Sequence, residues 1–111
     1  WNRSAEQVFG YPAATVLRKP CADLFQGAGS LGNPVCAQGC SVLECAAAGR
    51  EIPNYDLEVK GRGGRRLWVN ISILVVQDKR TKRPLVVHLA RDITQRKQSE
   101  RLTRQVVDVA R

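Results

Sequence analysis

No run in the 111 residues is apolar enough to cross a bilayer, and no basic-then-hydrophobic leader opens the chain. A cytoplasmic protein or module without membrane contact is therefore expected. Histidine occurs once, at His88, and no Ser-His-Asp set can be assembled around it. Nor is there a phosphate loop: the cluster Gly61-Arg62-Gly63-Gly64 falls between strand-like runs and opens no helix. Paired carboxylates in an apolar run are also missing, so no enzyme chemistry is expected. The four cysteines have no Cys-x-x-Cys knuckle, and in an internal setting they read as reduced thiols. Aromatic residues make up 5% of the chain, and none interleave with the basic residues as base stacking requires. The excess of basic over acidic residues, +8 in net charge, collects in two turns. Lys60, Arg62, Arg65 and Arg66 crowd the first; Lys79, Arg80, Lys82 and Arg83 crowd the second. Both read as solvated turns that keep strand edges soluble, with no direct nucleic-acid contact.

What the chain does contain is alternation. In residues 65–77, Leu67, Val69, Ile71, Ile73 and Val75 fall on one face and Trp68, Asn70 and Ser72 on the other, the period of a half-buried strand. Before it, Tyr55, Leu57 and Val59 alternate with Asp56, Glu58 and Lys60, and the glycine cluster supplies positive-φ positions for a hairpin. After it, residues 78–83 form a charged turn and residues 84–90 a third, β-branched run. The expectation is a three-stranded antiparallel meander within one domain.

Helical signals precede the strands. Ser4 and Gln7 form a capping box for a helix that Gly10 stops. A second short helix is expected over residues 12–17, ahead of Pro20, and one more turn over residues 21–25. Residues 26–34 read as a Gly- and Ser-rich loop. Ser41 and Glu44 open a further helix that Gly49 ends. Thr94 is expected to cap a last helix, whose Leu102, Val106 and Val109 have the spacing of a coiled-coil seam over one heptad. Helices segregated from strands predict an α+β domain with the short helices packed on one face of the antiparallel sheet.

Three stretches together resemble a PAS sensor domain. They are Trp1-Asn2-Arg3-Ser4-Ala5-Glu6-Gln7-Val8-Phe9-Gly10-Tyr11, Gly64 with the strand at Trp68, and Arg91-Asp92-Ile93-Thr94-Gln95-Arg96-Lys97. Details around Cys21, Gly32-Asn33-Pro34-Val35-Cys36, Cys40 and Trp68-Val69-Asn70 are most similar to PAS domains upstream of bacterial LuxR-type helix-turn-helix transcription regulators. The resemblance implies a sensor core over residues 1–93 and a signalling helix over residues 94–111, with Asp92, Ile93 and Thr94 transmitting the signal to an output domain. PAS domains begin with two strands that this sequence lacks, which would leave the edge of the third run open. The expectation is a truncated or partly ordered version of a longer domain.

The resemblance also implies a pocket between sheet and helices, lined by Tyr55, Leu57, Leu67, Val69 and Ile71, positions equally at home as plain core. His88 faces outward by alternation and inward, toward the pocket, by alignment on Asp92. Haem and flavin are not expected: the helix before the sheet carries no histidine, and the Asn-Cys-Arg-Phe-Leu-Gln motif of flavin-binding light sensors is missing. Cys21, Cys36, Cys40 and Cys45 read either as buried small hydrophobes or as a thiol switch, iron-sulfur or other metal site. Trp68 on the outer strand face, the open edge, and the seam of Leu102, Val106 and Val109 predict a homodimer. The function expected is sensing of a small molecule or redox signal, with a ligand-free dimerisation module as the alternative.

Overall fold

The computed structural model describes residues 1–29 and 41–110, with the side chains of Ser41 and residues 106–110 excepted. Strand β2, Arg66–Gln77, is the centre of an antiparallel sheet of order β1-β2-β3, flanked by β1, Tyr55–Lys60, and β3, Pro84–Asp92. Register on one side pairs Tyr55 with Ile71 and Leu57 with Val69; on the other it pairs Ile71 with Ala90 and Ile73 with His88. Directly opposed residues share a face, so the inner face carries Leu57, Val69, Ile71, Ala90 and His88, and the outer face Asp56, Trp68, Asn70 and Leu89.

The sequence predicts five buried aliphatics along β2, and the structure buries three. Leu67, Val69 and Ile71 are within 5% of full burial, Ile73 is half-buried, and Val75 is 40% exposed. The reason is length. β1 begins opposite Ile71, so beyond that point β2 has, among the described residues, only β3 beside it. At about 1.5 to 3 kcal/mol per buried side chain, the stabilisation is concentrated in the near half of the strand.

Four short helices precede the sheet: α1, Arg3–Phe9; α2, Ala13–Val16; α3, Cys21–Phe25; and α4, Ser41–Ala47. Helix α1 is capped by Asn2, whose Oδ1 accepts from the Ala5 amide at 2.9 Å, two residues before the expected Ser4. Gly10 ends it in the left-handed conformation at φ 80°. The Glu6 carboxylate then reaches forward to accept from the Ala13 amide at 2.9 Å, satisfying a donor at the start of α2. Helix α4 ends in a Schellman arrangement, with the Arg50 amide on the Cys45 carbonyl at 2.9 Å and the Gly49 amide on Ala46 at 3.2 Å.

Phe9 brings α1 into the core with Leu57, Val59, Leu67, Val69 and Ile71. Gly61 permits the approach. A Cβ there would lie 3.2 Å from the Phe9 carbonyl and 3.3 Å from both the Arg65 carbonyl and Leu67 Cδ1. Between β1 and β2 the chain makes one 3₁₀ turn, Arg62–Gly64, with Gly63 at φ 77° and Gly64 at φ 80°. Ala28 adds a single bridge to Glu58 on the free side of β1. β3 lies at the other edge, with no strand beyond it among the described residues. Helix α5, Thr94–Ala110, leaves from the end of β3.

Candidate functional site

Between the inner face of the sheet and the helices lies a partly open cavity of about 930 Å³. Its sheet wall includes Leu57, Val59, Val69, Ile71 and Ala90; Val8 and Phe9 of α1, Ala22 and Phe25 of α3, and Val42 of α4 face them. The rings of Trp1, Phe9 and Phe25 form one cluster beside it, with centroids 4.9 to 5.8 Å apart. The Trp1 indole is oriented by donating from Nε1 to the Tyr11 carbonyl at 2.9 Å.

Of the expected lining residues, Tyr55, Leu57, Val69, Ile71 and His88 border this cavity, and Leu67 does not. Leu67 packs beneath Gly61 at the turn end of the core, where its strand partner is Val59. His88 sits opposite Ile73 on the inner face, as alignment on Asp92 requires and simple alternation does not. The apolar run Leu85, Val87, Leu89 is therefore on the outer face, where all three side chains are exposed. His88 touches solvent, yet burial of its ring lowers its pKa below the ordinary 6.5, favouring the neutral imidazole.

Cys21 on α3 and Cys45 on α4 also border the cavity as free thiols. Cys36 and Cys40 lie outside the described residues. Among the described residues there is no cluster of three or more His, Cys, Asp or Glu side chains placed to hold a metal.

The outer face connects the cavity wall to α5. The Ile93 amide donates to the Trp68 carbonyl at 2.8 Å, and the Trp68 amide donates to Thr94 Oγ1 at 3.1 Å. Thr94 in turn donates its hydroxyl to Asp92 Oδ1 at 2.7 Å, and its amide reaches the same oxygen at 3.0 Å. Thr94 is thus the first helical residue, not the cap expected from the sequence, and the Asp92 carboxylate takes up its free amide. Trp68, expected to stand in water, is half-buried under this junction, with Lys97 Nζ 5.0 Å from its ring centroid. Leu102 is 62% exposed on α5. The side chains of Val106 and Val109 lie outside the described residues.

A second set of residues, not singled out by sequence reasoning, ties α5 to β1. Asp56 accepts from Asn70 Nδ2 at 3.0 Å and pairs with Lys97 at 2.9 Å and Arg96 at 3.4 Å. The Asn70 hydrogen bond, then the Lys97 hydrogen bond and the two neighbouring cations, hold its carboxyl below the ordinary 3.8. Hairpin register would have placed Asp56 opposite Asn70. Only the path of α5 adds the two cations.

No helix among the described residues is long and apolar enough to cross a membrane. A family model described as PAS domain matches residues 1–95. No curated protein and no solved structure matches the chain. With that match over most of its length, an antiparallel sheet carrying short helices on its inner face and a terminal helix leaving the last strand, the chain belongs to the PAS domain family, whose members generally serve as sensory rather than catalytic modules.

Proposed function

We propose that this module converts occupancy of its cavity by a small molecule, or a change at its thiols, into a change at α5. In this reading the output is a downstream domain, and the narrower resemblance around Cys21, Cys36, Cys40 and Trp68 supports a cytoplasmic bacterial transcription regulator of the LuxR type. The observation that supports this reading is continuity within one strand. Val69 and Ile71 border the cavity, and Trp68, between them and the turn, holds Ile93 and Thr94 through its own carbonyl and amide. A displacement of the inner wall therefore acts on a backbone segment that α5 shares.

A second reading, a ligand-free dimerisation module, is favoured by the outer face of the β2–β3 hairpin. Leu74, Val76, Leu85, Val87 and Leu89 are there 39 to 56% exposed side by side. Native mass spectrometry and absorption spectra of protein purified without reductant separate the two. A retained small molecule supports sensing, as does an oxidant response abolished by Cys36→Ser with Cys40→Ser. An empty, colourless, metal-free dimer that ignores oxidant supports the second reading.

A further inference from the structure

The cavity's walls differ in chemistry, and the difference restricts what it can hold. Of the described residues bordering it, only Asp56 and Glu51 are acidic, and none is Lys or Arg. Asp56 is drawn to the outer face, where Asn70, Lys97 and Arg96 hold its carboxylate. Glu51 is exposed in the segment after α4. Among the described residues bordering the cavity a ligand anion would therefore meet no Lys or Arg side chain, and a ligand cation would find only a solvated carboxylate near the rim. Taking an unpaired charge out of water is strongly unfavourable. Apolar surface, by contrast, is offered by Val86 and Ala90 on one side and by Val8 and Phe25 on the other, over the buried floor of Leu57, Val69 and Ile71. Each methylene removed from water there strengthens binding by about fourfold.

Two further features give direction. The three clustered rings of Trp1, Phe9 and Phe25 offer aromatic contact along one part of the wall. His88 borders the cavity from the inner face of the edge strand, level with Ile73 and away from the Gly61 turn where Phe9 packs. As a neutral imidazole it presents one donor and one acceptor, enough to orient one polar substituent.

We infer that the cavity takes an uncharged aromatic molecule, its rings against the Trp1–Phe9–Phe25 cluster and a single polar group toward His88. This rests on the sensory reading above and names its ligand class.

Two probes that share one ring system test it: neutral phenylnaphthylamine and its anionic relative, anilinonaphthalene sulfonate. Both are titrated by fluorescence into the whole chain and into variants checked for fold by circular dichroism. Ala90→Phe fills the cavity from the exposed edge strand and Val8→Trp fills it from α1, so a folding failure in one leaves the other. Leu74→Asp with Leu85→Asp removes the outer apolar face, the competing place for a greasy probe. The expected result is one phenylnaphthylamine per chain, weakened about tenfold or more by either filling change, untouched by the outer-face pair, and bound at least tenfold more tightly than the sulfonate. Binding that survives both filling changes, or that disappears with Leu74 and Leu85, overturns the inference. If the sulfonate is instead the probe that the filling changes expel, the ligand class is wrong and the sensory reading stands. If neither probe responds to filling, the small-molecule form of the sensory reading loses its site as well.

Discussion

Along its inner face β2 is apolar in both halves, and the two halves meet opposite fates. From Arg66 to Ile71 the strand has a neighbour on each side, helix α1 on its inner face and the start of α5 on its outer face. From Ile73 to Gln77 it has, among the described residues, β3 as its one neighbouring strand, and Leu74, Val75 and Val76 are 52, 40 and 43% exposed. Alternation reports that a strand is amphipathic. Burial depends on what lies over it. The near half holds the core and is hydrogen-bonded to the start of α5, whereas the far half contributes apolar surface and little of the core.

The largest expected contrast comes from placing one change in each half. Val69→Asp puts a charge at a fully buried position and is expected to unfold the domain, at a cost of more than about 4 kcal/mol. The same change at Val75 should leave a cooperative melt within about 1 kcal/mol of the parent. Comparable losses at both positions in urea titrations would erase the distinction.

Next in size is the turn that fits α1 to the sheet. Gly61→Ala forces a Cβ against two carbonyls and Leu67, and should cost about 1 to 3 kcal/mol. Gly63→Ala meets nothing within 4 Å and has only its positive φ to contend with, at about 1 kcal/mol. Thermal melts of the two variants rank close contact against backbone conformation.

Thr94→Val leaves the Trp68 amide without its acceptor and should cost about 1 to 2 kcal/mol. Its signature is faster amide exchange at the start of α5 with the sheet unchanged. Equal acceleration throughout the sheet would mean that Thr94 supports the whole fold and not this junction.

Acid should weaken the fold in two separate windows. Asp56 has a lowered folded pKa, so its contribution is present above the ordinary 3.8 and is lost as pH falls through the lower folded value. For His88 the neutral form is favoured on folding; its contribution is complete above the ordinary 6.5 and fades as pH drops through the lowered value. Melting temperatures against pH should flatten in the lower window for Asp56→Asn and in the upper for His88→Gln. A steep upper window that persists in His88→Gln would remove His88 from the account.

The smallest effect on stability is expected on the outer face of the far half. Leu74→Ser with Leu85→Ser should shift unfolding by less than about 0.5 kcal/mol, because both side chains already face water. Sedimentation of the same pair sharpens the second functional reading: a parent dimer that becomes monomeric would assign that face to self-association.

Much of this was legible in the residues. The meander followed from period-two alternation and a glycine-rich turn, and the helix ends at Gly10 and Gly49 from their freedom at positive φ. The burial limit at Ile71 was not, because it is set by where β1 begins, a matter of register between segments. Asn2 displaced Ser4 as the cap for a local reason, since either side chain suits the role and geometry chose the earlier one. The direction of His88 depended on extending β3 to Asp92, which apolar content alone did not require. The Asp56 cluster was hidden because it joins β1, β2 and α5, and no spacing in the chain encodes that meeting.

The central claim is that the cavity and α5 are coupled through Trp68. Amide exchange along residues 94–105, measured with the cavity free and saturated with phenylnaphthylamine, in the parent and in Thr94→Val, tests it most directly. The account predicts a change in the first turns of α5 in the parent that is lost in Thr94→Val; a saturated cavity that leaves exchange in α5 unaltered would contradict it.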